Sequence, residues 1–524
     1  MAKRYRTESK EGMLVKVYGA TVQGLQAVAV TIEVNATRGC RFVMVGLPDS
    51  AVKESHERIM AALENSGFRF PTRQITVNLA PADVRKEGSG LDLPLAIGIM
   101  ATEGEVDINL LNRYMMVGEL SLDGSLMPIK GALPIAIKAR EMGYEGLFVP
   151  EDNIREAAVV NKLKVYGVKH INQVIGHLNG MHPLEPTIIN TRAEFYAQQN
   201  EFELDFADVK GQEHVKRAME IAAAGGHNLI MIGPPGSGKS MMAKRLPSIL
   251  PPLSLQESLE TTQIHSVAGK LPGNCSLIAH RPFRAPHHTV SQVALVGGGS
   301  NPQPGEISLA HNGVLFCDEL PEFQRSTLEV LRQPLEDRVI NISRAKYSIS
   351  YPCSFMFVAS MNPCPCGYYN HPTKQCCCTP GQIVRYLNKI SGPLLDRIDI
   401  QCEITPLSFE ELSRTAPGES SAIIRERVVR ARKIQEERFK NDTGVHCNAQ
   451  MASRLMHRYA EPAPEDMDML REAMNRLQLS ARAYDRILRV ARTIADLEGT
   501  EQILTHHLQE AIGYRNLDRS SWGE

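Results

Sequence analysis

The sequence predicts an α/β protein of three successive parts, on three observations. Short β-rich runs alternate with helical patterns over about the first 400 residues, the signature of mixed α/β units. A Gly-rich loop, 233-GPPGSGKS-240, stands between an apolar strand-like run and a helical segment. Past residue 406 helical periodicity takes over, and Ile487, Leu488, Ala491, Ile494 and Ala495 mark one apolar helix stripe.

The elements follow in order. Within 1–180, the runs 26–35, 41–45 and 74–79 read as strands, and 50–65, 93–102 and 133–141 as helices. Residues 181–200 are polar, hold two prolines and read as a linker. Residues 201–405 carry continuous apolar runs at 227–232, 313–317 and 355–360, as expected of parallel strands buried on both faces. A second polar joint at 413–421 lies within the helical part, 406–524.

Composition narrows the function classes. At 524 residues, with 43% hydrophobic and 22% charged residues, the chain is neither disordered nor in need of disulfides to fold. Lys and Arg total 58 against 59 Asp and Glu, so any nucleic-acid surface must be a local patch. No apolar run approaches the ~20 residues that span a bilayer. The basic start, MAKRYRTESKEG, lacks the apolar core of a signal peptide, so a cytoplasmic protein with no membrane partner is expected. Of eleven cysteines, five fall between Cys364 and Cys378, which in a reducing compartment suggests metal or redox chemistry.

The loop 233–240 fits G-x-x-x-x-G-K-[ST] in a strand–loop–helix context. Gly233, Pro234, Pro235, Gly236, Ser237 and Gly238 would turn main-chain N–H groups into one anion-holding nest, aided by the helix N-terminus. Lys239 would reach the terminal phosphates of ATP and Ser240 would ligate Mg²⁺. The apolar run ending at Asp318 and Glu319 supplies two acids with different tasks. Asp318 would complete the Mg²⁺ shell, and Glu319 would polarise an attacking water. Asn362, closing a third strand, would orient that water.

Cys364, Cys366, Cys376 and Cys378 form a C-x-C…C-x-C set suited to tetrahedral Zn²⁺, with Cys377 or His371 as substitutes. Four protein ligands leave no open coordination position, so the metal would be structural. Residues 336–347 read as a hairpin whose basic residues, Arg338, Arg344 and Lys346, lie near its bend. These are candidate DNA contacts, with Arg281, Arg284, His287 and His288 as a second set.

The loop, the Asp318–Glu319 pair and Asn362 together resemble the Walker A, Walker B and sensor 1 set of AAA+ ATPases. The stretch DVKGQEHVKRAMEIAAAGGHNLIMIGPPGSGKS resembles the Mg-chelatase subunit I clade. RPFRAPHHTVSQVALVGGG, within the 79 residues from Lys239 to Asp318, is similar to that clade's helix-2 insert. The 44 residues from Asp318 to Asn362 leave room for a pre-sensor-1 hairpin. Arg397 in GPLLDRIDI resembles the arginine finger that a neighbouring subunit supplies in trans, and Arg482 in LSARAYDRIL resembles sensor 2. Residues 83–98 and 117–133 resemble the Lon protease domain, a ribosomal S5 domain 2-type fold. Asp92 and Leu133 stand where that family carries its Ser–Lys dyad, with Ser89 and Lys130 out of register, so a non-proteolytic domain is expected.

The whole chain is similar to the ComM/YifB family of Mg-chelatase-like proteins. That resemblance implies a Lon-like N-terminal domain (1–180), an AAA+ core (201–405) with a Cys-rich insert (364–378), and a helical lid (406–524). It also implies a homo-hexameric DNA motor that drives branch migration of recombination intermediates in natural transformation, on single-stranded or branched DNA. A motor that remodels a protein partner, as Mg-chelatase does, is the alternative; an ATP-dependent peptidase is a third.

Overall fold

The computed structural model describes residues 13–272, 275–299, 302–344, 347–406, 418–477 and 479–515. Contacts divide the chain into two compact units. One holds the residues up to Tyr196 together with Ser258–Ile278; the other holds Ala197–Glu257 and the chain from Ala279 onward.

In the first unit, strand Met13–Gln23 turns through Gly24 into strand Gln26–Thr37, and the two pair antiparallel over their full length. Gly24 has φ +62°, a conformation that a side chain resists. Val30, Ile32, Val34 and Ala36 are buried at period two, so one face of the sheet carries the core. Strand Gln74–Ala80 adds antiparallel and Phe42–Val45 adds parallel at the edge. Helix Ser50–Asn65 begins where Asp49 accepts from the Val52 N–H at 2.8 Å, and it buries Val52, Ile59, Ala62 and Leu63. Helix Asp92–Thr102 is buried at every residue, which is why its sequence is nearly all apolar.

A second, parallel sheet of Tyr114–Met116, Gly146–Pro150 and Lys164–Val168 completes the unit. Within the polar stretch 181–200 a helix forms, Thr191–Gln198, anchored by the buried Phe195.

The second unit is built on a five-stranded parallel sheet. Its order is Phe283–Arg284, Val314–Cys317, Met356–Met361, Leu229–Ile232, Ile400–Glu403. Every residue of the Leu229, Val314 and Met356 strands is buried, so these segments read as continuous apolar runs. Because all five strands run the same way, Gly233, Asp318 and Asn362 follow the strand ends along one edge. Asn228, Phe355 and Asp399 precede the strands at the opposite edge. The expected α/β class with a parallel sheet therefore holds.

An antiparallel hairpin, Val339–Arg344 with Tyr347–Pro352, stands in sequence between strands Val314–Cys317 and Met356–Met361. Beyond residue 420 the described residues form helices only, the longest being Ser421–Arg438 and Ala481–Glu498. The predicted stripe Ile487, Leu488, Ala491, Ile494 and Ala495 is wholly buried and shares one core with the sheet strands. Burying each of its large aliphatic side chains contributes about 1.5–3 kcal/mol. Among the described residues, no helix is long and apolar enough to cross a membrane.

Candidate active site

The phosphate loop starts from the buried strand Leu229–Ile232 and ends in helix Lys239–Ile249. Gly236 and Gly238 have φ +78° and +89°, so the left-handed turns that aim the N–H groups inward need glycine there. At Gly233 the requirement is space, since a Cβ would lie 2.5 Å from the Ile404 carbonyl oxygen. Lys239 Nζ donates to the carbonyls of Gly233 (2.7 Å) and Pro234 (2.9 Å) and to Asn362 Oδ1 (3.3 Å). Burial pulls its ammonium below the usual lysine range, against the opposing pull of Asp318 and Glu319. The Ser237 hydroxyl is buried in the loop with no hydrogen-bond partner. A cationic, amide-lined nest with an unsatisfied hydroxyl fits a polyphosphate.

Two neighbouring carboxylates meet different surroundings. Asp318 Oδ2 accepts from Ser240 Oγ at 2.6 Å, and its Oδ1 accepts from Ser360 Oγ. The two oxygens expected to hold Mg²⁺ therefore converge. Glu319 follows with φ +52°, a left-handed conformation rare outside glycine, fixed by its N–H on Asp318 Oδ1 (3.2 Å) and Ser360 Oγ (3.3 Å). Its side chain is 55% exposed, with His288 Nδ1 at 4.0 Å from Oε2. Sequence reasoning missed Ser360, because only the register of parallel strands brings it beside Asp318. His288, one of the candidate DNA contacts, stands beside Glu319.

Arg397 and Arg482 pair with residues outside the phosphate loop. Arg397 follows strand-edge helix Gly392–Leu395, is 8% exposed, and pairs with Glu336 and the Pro393 carbonyl. Arg482 opens helix Ala481–Glu498 and pairs with Asp396 at 2.9 Å, one residue before Arg397.

The cysteine loop follows Asn362 directly. Cys364 Sγ lies 3.3 Å from Cys366 Sγ and 3.7 Å from Cys376 Sγ, and Cys366 and Cys376 are 3.5 Å apart. With Cys378 the four sulfurs lie within 4.8 Å of one another, and none forms a disulfide. A tetrahedral site with metal–sulfur bonds of about 2.3 Å has sulfur–sulfur edges of roughly 3.8 Å, close to this arrangement. N–H groups of Tyr369 and Cys378 donate to Cys364 and Cys376, as around metal thiolates. The substitutes fall outside: Cys377 is exposed, and His371 Nδ1 accepts from Thr373 and Lys374 N–H groups. The loop packs on the nucleotide side, since a Cβ at Gly367 would lie 2.5 Å from Pro235 Cδ.

The basic candidates divide. Arg281 is committed to the Pro251 and Asn312 carbonyls at 2.7 and 2.8 Å and to Glu257. Arg284 forks onto Glu306 at 2.6 and 2.8 Å. Both guanidinia are tied to carboxylates of their own chain. Arg338 sits at the foot of the hairpin, donating to Ser354 Oγ at 3.0 Å, and not near its bend. Arg344 closes the paired strands against Tyr347; Lys346 lies outside the described residues.

In the first unit no Ser–Lys dyad is assembled among the described residues. Asp92 is buried and accepts from Arg58 Nε at 2.8 Å and from the Leu120 N–H. Burial pushes its carboxyl up and Arg58 opposes. Ser89 donates to Glu119, and Leu133 is buried in the core.

Comparison with known proteins agrees with this geometry. Residues 205–412 match the family described as magnesium chelatase, subunit ChlI, and residues 418–515 match its C-terminal part. The chain is 46% identical to competence protein ComM of Haemophilus influenzae, over 97% of its own length and 98% of the relative's. It is 44% identical to YifB of Escherichia coli, over 96% and 97%. The chain belongs to the ComM/YifB family of Mg-chelatase-like proteins. In this ComM/YifB member, residues 32–153 also match subunit ChlI of Mg-chelatase. A stretch of 157 residues, 27% of the chain, is 31% identical to Lon protease 2 of Bacillus subtilis. Membership in an AAA+ Mg-chelatase-like family agrees with a nucleotide site at the strand ends, with ATP and Mg²⁺ as its ligands.

Proposed function

We propose that the chain is an ATP-hydrolysing DNA motor of the cytoplasm, working as a hexameric ring that moves branches in recombination intermediates during natural transformation and homologous recombination. The observation that carries this reading is the convergence of Lys239, Ser240, Asp318 and Asn362 at one sheet edge, in a chain 46% identical to ComM. The loop amides and Lys239 bind and orient the phosphates. Ser240 and Asp318 would hold Mg²⁺, which would supply neutralisation of the charge developing on the phosphates. Glu319 takes the proton of the attacking water, which Asn362 orients. Exposure of the Glu319 carboxylate leaves room for that water.

Arg397 acts as an arginine finger on a neighbouring subunit's nucleotide, a reading supported by its pairing with residues outside the chain's own loop, and Arg482 acts as sensor 2. Cys364, Cys366, Cys376 and Cys378 hold a structural Zn²⁺ that fixes the loop beside Pro235. Arg344 and Lys346 contact DNA phosphates in the ring's pore, so a neutral chain grips DNA through a repeated local charge.

A Mg-chelatase-type motor acting on a protein partner is the second reading, favoured by the match of residues 205–412 to subunit ChlI. Phosphate release with and without junction DNA separates the two. The DNA motor is stimulated several-fold; a rate indifferent to every DNA structure favours the protein partner.

A further inference from the structure

The cysteine loop touches the nucleotide site at two points. It leaves the sheet at Asn362, whose Oδ1 accepts from Lys239 Nζ at 3.3 Å, and reaches Cys364 two residues later. At Gly367, with φ +84°, the chain turns hard against Pro235 of the phosphate loop, where a Cβ would lie 2.5 Å from Pro235 Cδ. The loop ends where Thr379 caps helix Pro380–Leu387, which buries Ile383 and Tyr386. Both ends are anchored, and the sulfur cluster ties the two arms of the loop together.

The sulfurs are not equally reachable. Cys364 is fully buried, whereas Cys366 and Cys376 are partly exposed. Cys366 and Cys376 stand on opposite arms, ten residues apart in sequence, with their sulfurs 3.5 Å from one another. A disulfide bond is about 2.05 Å long, so the pair has to close by only about 1.5 Å. Metal ligands are thiolates, and a thiolate is the form of cysteine that attacks an oxidant.

We propose that Cys366 and Cys376 are a modification site for hydrogen peroxide, and that their disulfide loosens the phosphate loop. One thiolate attacks a peroxide oxygen, the O–O bond breaks, and a sulfenic acid and a hydroxide result. The second thiolate attacks the sulfenic sulfur, the S–S bond forms, and a second hydroxide leaves. Two thiolates thus give up two electrons, and one peroxide becomes two hydroxides. The joined sulfurs are no longer anionic ligands, so a four-thiolate site keeps two and lets its zinc go. Drawing the arms together at Cys366 moves the adjacent Gly367 off Pro235, and nucleotide is held less tightly. This modification presupposes the zinc proposed for the cysteine loop and the nucleotide proposed for residues 233–240.

The full-length protein, purified anaerobically and then treated with hydrogen peroxide, tests it. A colorimetric chelator should collect about one zinc per chain, and peptide mapping should find Cys366 joined to Cys376. The Kd for a fluorescent, non-hydrolysable ATP analogue should rise about tenfold. A dithiol reductant with added zinc should restore the first Kd. Cys377→Ser, which removes the exposed neighbouring thiol, should leave all three readouts as in wild type. Zinc and thiols that survive peroxide, oxidation confined to Cys377 or Cys40, a disulfide at another pair, or an unchanged Kd in the oxidised protein each overturn the proposal. Zinc or analogue binding absent before any peroxide is added fails the zinc or nucleotide reading itself, and the modification falls with it.

Discussion

At the scale of single residues, the same side-chain type takes different roles because partners far apart in sequence decide its surroundings. Asp318 is pinned by two serine hydroxyls, while Glu319, one residue on, is turned outward by its left-handed backbone. The loop itself is legible in sequence, because glycine, lysine and serine act through local backbone geometry. Arg281 and Arg284 read in sequence as free cations because Glu257, Glu306 and the strand-end carbonyls come beside them only through the fold. Arg397 is the residue with the sharpest expected phenotype. Arg397→Ala keeps nucleotide binding and lowers turnover of the assembled protein by roughly 10³-fold or more. Rapid-quench assays beside nucleotide titration check this; a variant that assembles and turns over normally contradicts it.

At the scale of elements, the cysteine loop and helix Ala481–Glu498 each depend on residues brought together by the fold. The C-x-C pairs are visible in sequence, but excluding Cys377 and His371 needs the chain path, since Cys377 points outward and His371 caps its own turn. Cys376→Ser is expected to drop bound zinc from about one per chain to near zero and to lower the melting temperature. Elemental analysis of anaerobically purified protein reads it, and wild-type protein without zinc contradicts it.

Helix Ala481–Glu498 docks through Arg486 on buried Asp399. Burial alone would raise the Asp399 carboxyl, but Arg486 and His227 outweigh it and hold it well below the usual carboxylate range. A depressed value contributes stability above the unfolded carboxylate's pKa, near pH 4, and that contribution disappears as pH falls through the folded value. Asp399→Asn should therefore lower unfolding free energy at neutral pH by about 3–5 kcal/mol. The gap to wild type should shrink steadily in acid. Denaturant titrations across pH check this, and a gap independent of pH contradicts it.

At the scale of the whole molecule, the α/β class and the buried parallel strands are legible because a short, unbroken apolar run between turn residues matches a strand covered on both faces. The helix expected at 50–65 forms over those residues, and its neighbours end within a residue or two of expectation. The assignment of Ser258–Ile278 to the first unit is not legible. These residues lie between the phosphate loop and Asp318 in sequence, and no local pattern records which core they join. Strands Gly146–Pro150 and Lys164–Val168 are hidden because five-residue runs between turns carry little periodicity.

DNA engagement belongs to this scale as well. Arg344→Ala combined with Lys346→Ala should weaken DNA binding and flatten the slope of affinity against salt, read by fluorescence anisotropy. An unchanged slope removes the hairpin from the interface.

The proposed function stands on a triphosphate being bound at Lys239 and cleaved by water that Glu319 activates. The most direct measurement is phosphate release by the assembled protein with Mg²⁺ and ATP, beside Glu319→Gln. Steady release that falls at least about 100-fold in the variant, with nucleotide binding retained, is the predicted result. No release from wild type, or equal release from both proteins, would contradict it.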